Sequence, residues 1–159
     1  MRRKLALSSA LLPVILLGVV ACSHPQQSAP STPPSGEECQ GGLEGTLGCD
    51  DFSSTGATEN GEPVEWVAGG SITLHAEYIN DTHTLVVGTP CNTLNIPIAL
   101  HADVIVPGEA TSTTKACDVT RAGGQTWTEG VFTTDMHWVR SQKTLTISAG
   151  TTTILFTAD

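Results

Sequence analysis

The chain has 159 residues, room for one ordinary domain plus targeting segments. Sixteen Asp and Glu against seven Lys and Arg give a formal net charge of −9. That surplus repels phosphate backbones and anionic headgroups, which excludes nucleic acid as a partner and electrostatic adsorption as the route to a membrane.

The chain opens Met1-Arg2-Arg3-Lys4 and then runs without charge from Leu5 to Ala21. A cationic start followed by an apolar run of about seventeen residues is the layout of a secretory signal peptide. The run is short for a permanent spanning helix, which needs about 20 residues. It ends Val19-Val20-Ala21-Cys22, which resembles a lipobox, the signal-peptidase site of bacterial lipoproteins. The resemblance implies lipid on Cys22 and cleavage before it, so residues 1–21 are expected to be removed. Residues 22–36 are rich in Pro and Ser and carry no Lys, Arg, Asp or Glu. Such a segment cannot bury a core and reads as an extended tether.

All sixteen acids follow Gly36, while only Lys115, Arg121, Arg140 and Lys143 remain as bases, so the chain beyond Ala21 carries a net −12 (four minus sixteen). Besides Cys22 there are four cysteines, Cys39, Cys49, Cys91 and Cys117. Export places them where disulfides persist, and three pairings are possible. Cys39–Cys49 with Cys91–Cys117 is the favoured set: the first closes a Gly-rich loop and the second joins neighbouring strand segments. A four-thiolate metal site wants closely spaced pairs, and the sequence has none, so no metal or other cofactor is expected.

Residues 37–63 are acidic and Gly-rich and read as a loosely structured lead-in. From residue 64 the pattern becomes that of strands. Residues 72–78 alternate apolar and polar, and Asn80-Asp81 signals a turn. Residues 85–87, 96–100 and 104–106 predict three further strands, with Pro97 pointing to an edge or irregularity. Residues 111–117 are β-branched and predict a fifth strand. Trp127, Val131 and their neighbours shift to a helical spacing, predicting a short amphipathic helix over 124–135 despite Gly130. Residues 137–139, 145–148 and 152–157 predict three closing strands, with turns at Ser141-Gln142 and Ala149-Gly150. The expected fold class is α+β: mainly antiparallel sheet, curled or closed into a partial barrel, with one short helix late in the chain.

Two spots carry a family resemblance: Thr89-Pro90-Cys91-Asn92-Thr93, and Thr113-Thr114-Lys115-Ala116-Cys117-Asp118. A helix containing Trp127 and the segment Lys143-Thr144-Leu145-Thr146-Ile147 follow. Residues 64–159 thus resemble the META domain, the small domain of the bacterial heat-shock protein associated with novobiocin resistance. Pro90 departs from the family's usual Gly, and Lys115 stands in or near the place of its Met. The resemblance implies a compact β-rich fold with one helix, an envelope location, an association with stress, and no catalytic residues. Cys91, Asn92, Thr113, Ala116 and Cys117 match, and the roles expected of them are structural: a cross-link, a turn held by Asn92, and close packing at Ala116.

No catalytic constellation stands out. Ser112-Thr113-Thr114-Lys115 matches S-x-x-K but lacks the partner motifs S-D-N and K-T-G. His75, His83, His101 and His137 have no metalloprotease spacing, although His75 and His83 fall on adjacent strands and could converge on one sheet face. Glu37-Glu38 and Asp50-Asp51 read as solvated acids. The expectation is a non-enzymatic lipoprotein on the extracytoplasmic face of a cell membrane, anchored by lipid on Cys22, that binds an envelope protein. The alternative is a small-ligand or cation-binding lipoprotein serving a membrane system.

Overall fold

The computed structural model describes Leu47 and residues 50–159. The expected signal peptide, tether, lipidation site Cys22 and Cys39–Cys49 disulfide lie outside the described residues. The elements are β1 (Phe52–Glu59), β2 (Glu62–Pro63), β3 (Thr73–Ile79), β4 (Thr82–Gly88), β5 (Thr93–His101) and β6 (Val104–Pro107). They continue with β7 (Thr111–Ser112), α1 (Val119–Phe132), β8 (Met136–Ser141), β9 (Thr144–Ala149) and β10 (Thr152–Ala158).

Period-two patterning builds the sheet. In β5 Leu94, Ile96 and Ile98 are buried between less buried neighbours, and in β9 Leu145, Ile147 and Ala149 are. Two-residue turns join the strands: Asn80 and Asp81 both adopt positive φ between β3 and β4, the conformation that matches the twist of a tight hairpin. Asn60-Gly61 does the same, while Ala102-Asp103, Gln142-Lys143 and Gly150-Thr151 are two-residue turns with positive φ at the first residue alone.

The antiparallel strands follow the order β1, β3, β4, β5, β6, β8, β9, β10, and β10 pairs back to β1. Eight strands therefore form a closed barrel, not the partial one expected. The closing element is β1, which lies in the stretch read from sequence as a loose lead-in. It runs beside β10 from Phe52↔Ala158 to Glu59↔Thr152, with a bulge at Thr55. Its partner on the other side is β3, through Phe52↔Leu74. The β1–β3 contact is short, ending at Leu74, so β3 runs on to Ile79 with β4 as its ladder partner.

The interior is apolar and filled. Phe52, Leu74, Leu85, Val87, Ile96, Ile105, Met136, Ile147, Ile154 and Phe156 are all essentially inaccessible. The end bearing the Asn80-Asp81, Ala102-Asp103 and Gln142-Lys143 turns is sealed by the chain leading into β1. Leu47 is buried there, the Arg140 guanidinium donates to the Leu47 carbonyl at 2.6 Å, and it pairs with Asp50. The same guanidinium lies 5.3 Å from the centre of the Phe52 ring.

Two other expectations are corrected. The fifth strand is only Thr111–Ser112, because the backbone beyond it is drawn off by side chains of the 89–92 loop. The helix begins at Val119, five residues before the sequence suggests: the Asp118 carboxylate caps it by accepting the Arg121 N–H at 3.0 Å. Pro97 sits inside β5 without disrupting the sheet. Its carbonyl accepts the Gly108 N–H at 2.7 Å, so its missing donor falls on the same side, where the chain passes from β6 to β7.

Candidate functional site

The motif residues 89–93 and 113–118 converge near the start of α1. Cys91 and Cys117 stand 5.5 Å apart between Cα atoms and are joined as a disulfide. The Asn92 side-chain oxygen accepts the Lys115 N–H at 2.8 Å and the Thr113 hydroxyl at 3.1 Å. The Thr113 hydroxyl in turn accepts the Thr93 N–H at 3.0 Å. On the other side of the loop the Thr89 hydroxyl accepts the Asn92 N–H at 3.0 Å and meets the carboxamide oxygen of Gln125, a buried residue of α1. Gln125 also accepts the Cys91 N–H at 3.3 Å and donates to Glu129 at 2.6 Å. The network is internally satisfied, which is the signature of a brace. Ala116 does not share in it: the residue is exposed, so the close packing expected of it is absent.

Asp118 belongs to the same brace. Its carboxyl is pulled from the ordinary 3.8 down to about 2, first by the Thr120 hydroxyl at 2.6 Å and then by Arg121. Sequence reading missed Asp118 and Gln125, although an Asp before a helical stretch is a legible cap. Gly124 was equally informative. A side chain there would press within 3.2 Å of Pro90 and 3.3 Å of Trp66, so glycine lets the helix approach the loops.

The remaining sequence candidates separate. Ser112 lies in β7, away from a helix start, and donates to the Thr113 carbonyl at 3.0 Å. His75 and His83 do not converge. The register sets His75 opposite Val86 and His83 opposite Tyr78, an odd offset that sends the two imidazoles to opposite faces. His75 instead meets Glu77 at 2.9 Å and Asp51 at 3.5 Å, and His137 meets Asp103 at 3.2 Å. The Asp50-Asp51 pair read as solvated is therefore split between Arg140 and His75. Among the described residues no group of three or more His, Cys, Asp or Glu is placed to hold a metal ion.

Among the described residues, two surfaces bear on partner binding. On the outer wall Val139 and Leu155 are 65% and 49% exposed, and both are register partners of Thr146. Around them β8, β9 and β10 turn Ser, Thr and His side chains outward, with no Asp, Glu, Lys or Arg among them. The second surface is a cleft of about 680 Å³ between the last turns of α1, the end of β1 and the β9–β10 turn. Glu59, Trp127, Val131 and Asp135 line it, and none of its lining residues is Lys, Arg or His.

Neither a protein-family model nor a curated protein matches the chain. Among solved structures it is similar to a protein from Burkholderia xenovorans determined by NMR. The TM-score is 0.55 at 16% identity, over 82% of this chain and 99% of that one. A second protein determined by NMR matches over 68% of this chain and 87% of its own, at 13% identity and a TM-score of 0.49. The first likeness supports the fold and nothing beyond it.

Proposed function

We propose that this chain is an extracytoplasmic lipoprotein, anchored by lipid on Cys22, whose META-like barrel is a non-enzymatic module binding another envelope protein. The observation that carries the reading is the outer wall of β8 to β10. In a chain this acidic, a face with no formal charge and with Val139 and Leu155 exposed around Thr146 is the natural contact for a protein partner. The filled interior supports the same reading, because it pushes recognition to the outside of the barrel. The brace around Cys91–Cys117 would keep the barrel rigid, and an envelope or stress-related role follows the META resemblance.

The test is cross-linking of the tagged chain in intact cells, with mass spectrometry of what copurifies. A dominant partner lost in Cys22→Ala and in Val139→Asp/Leu155→Asp is the expected result. A partner captured equally by the wall variant would sink the assignment of this face. Substrate turnover that follows the repurified protein and disappears in a point variant would sink the non-enzymatic reading.

A second reading, a small-ligand or cation-binding lipoprotein, is favoured by one observation: the cleft beside α1 carries two carboxylates and no base.

A further inference from the structure

The cleft has a direction to its chemistry, and the inference below rests on the second reading just given. It lies against the C-terminal turns of α1, the negative pole of the helix, and the last turn of that helix holds no basic side chain. Glu59 enters from the end of β1 and Asp135 from the link to β8, so both add negative charge to the same concavity. Among the described residues neither carboxylate forms an ion pair. The Glu59 carboxylate accepts a long hydrogen bond, 3.5 Å from the Thr152 hydroxyl. Three sources of negative potential therefore face one cavity with nothing in the described protein to neutralise them.

The walls discriminate between cations. A bare divalent ion wants several oxygens converging at short range, and the described residues offer no such cluster. An organic ammonium wants less: a carboxylate at the charged head, an aromatic surface, hydroxyl acceptors and an apolar strip for the stem. Trp127 supplies the aromatic surface and Val131 the apolar strip, while Thr126 and Thr134 bring hydroxyls. The geometry points to this cleft as a binding site for a primary ammonium on an alkyl chain, carried by a free diamine or by a lysine side chain. Glu59 and Asp135 would receive the charge, and the stem would lie along Trp127 and Val131.

Calorimetry on the full chain in a nonionic detergent tests this with 1,5-diaminopentane, with lysine blocked at both its α-amine and its carboxylate, and with calcium chloride. Tryptophan fluorescence gives an independent readout. At low salt an amine should bind; Glu59→Gln or Asp135→Asn should each weaken it about threefold, and the pair about tenfold, as expected for exposed charge contacts. The melting temperatures should stay unchanged. Preference for the blocked lysine assigns the site to a protein side chain; preference for the diamine assigns it to a free metabolite. No heat with either amine, binding indifferent to both substitutions, or calcium binding as tightly as the amines would overturn the proposal. Such a failure leaves the wall-binding reading standing, because Glu59→Gln/Asp135→Asn would still capture the cross-linked partner.

Discussion

The side-chain oxygen of Asn92 accepts the backbone N–H of Lys115 at 2.8 Å, joining two loops 23 residues apart in sequence. The same oxygen receives the Thr113 hydroxyl, so one carboxamide holds the crossing in place. Asn92→Ala should remove the acceptor of the Lys115 N–H and the Thr113 hydroxyl, both exposed enough for water to substitute, and cost about 0.5–1.5 kcal/mol. For a domain of this size that lowers the melting temperature by roughly 2–9 °C. Asn92→Asp preserves the acceptor and should lose much less. Thermal denaturation of the two variants checks this, and equal losses would mean that the crossing is held by something else.

The Cys91–Cys117 bond closes the same crossing covalently over a separation of 26 residues. In the chain-entropy account a loop of that length contributes roughly 3 kcal/mol. Reduction, or the double substitution to Ala, should therefore lower the melting temperature more than Asn92→Ala does. Differential scanning calorimetry with and without a phosphine reductant gives the comparison. An unchanged transition would show the cross-link to be thermodynamically silent.

The strand at Phe52–Glu59 was hidden in the sequence for a physical reason. Its inward positions include Ser54 and Ala57 beside Phe52, and the bulge at Thr55 breaks the alternation in mid-strand. A period-two search weighted to large apolar residues passes over it. By contrast β4, β5, β6 and β9 advertise themselves, since Leu, Ile or Val recurs on one face of each. Residues 111–117 mislead in the opposite direction. Their β propensity is real, but Asn92 takes the Lys115 N–H and the disulfide holds Cys117, so pairing stops at Ser112. The cysteine pair was legible from export and spacing. The cleft was not, because Glu59 comes from β1, more than sixty residues before Trp127 and Asp135.

Where the domain begins is testable on the same ground. A chain starting at residue 64 lacks β1 and exposes the facing edges of β10 and β3, which together lose the partners of both strands. It should be unfolded or aggregated, whereas a chain starting at residue 37 should fold. Far-ultraviolet circular dichroism and size-exclusion chromatography distinguish the two. A folded monomer from residue 64 would show that barrel closure by β1 is dispensable.

Leu47 seals the end of the barrel opposite α1, and its side chain is 1% exposed. Truncation to Ala leaves a void at the barrel end and should cost roughly 2–4 kcal/mol, the usual range for a buried leucine. Arg140→Met removes the donor to the Leu47 carbonyl and the ion pair to Asp50 while keeping the stem that packs at the barrel end. It should free the lead-in chain without unfolding the barrel. Hydrogen exchange then separates the effects: Arg140→Met should speed exchange near Asp50 to Phe52, while the β4 and β5 amides stay protected.

Asp118 ties stability to acid pH through the start of α1. Its carboxyl titrates near 2 in the fold against an ordinary 3.8, because the Thr120 hydroxyl and Arg121 favour the charged form. A depressed value means that the contribution is fully present above about pH 4. It is lost as pH falls through about 2, since the folded state must then take up a proton it resists. Asn at this position keeps the cap but does not titrate. The melting-temperature advantage of the natural chain over Asp118→Asn should therefore be constant from neutral pH down to about 4. It should shrink between 4 and 2 and vanish below. Thermal melts at 222 nm across that range measure it directly. An advantage that persists unchanged at pH 2 would mean the carboxylate's bonds to Thr120 and Arg121 do not stabilise the fold.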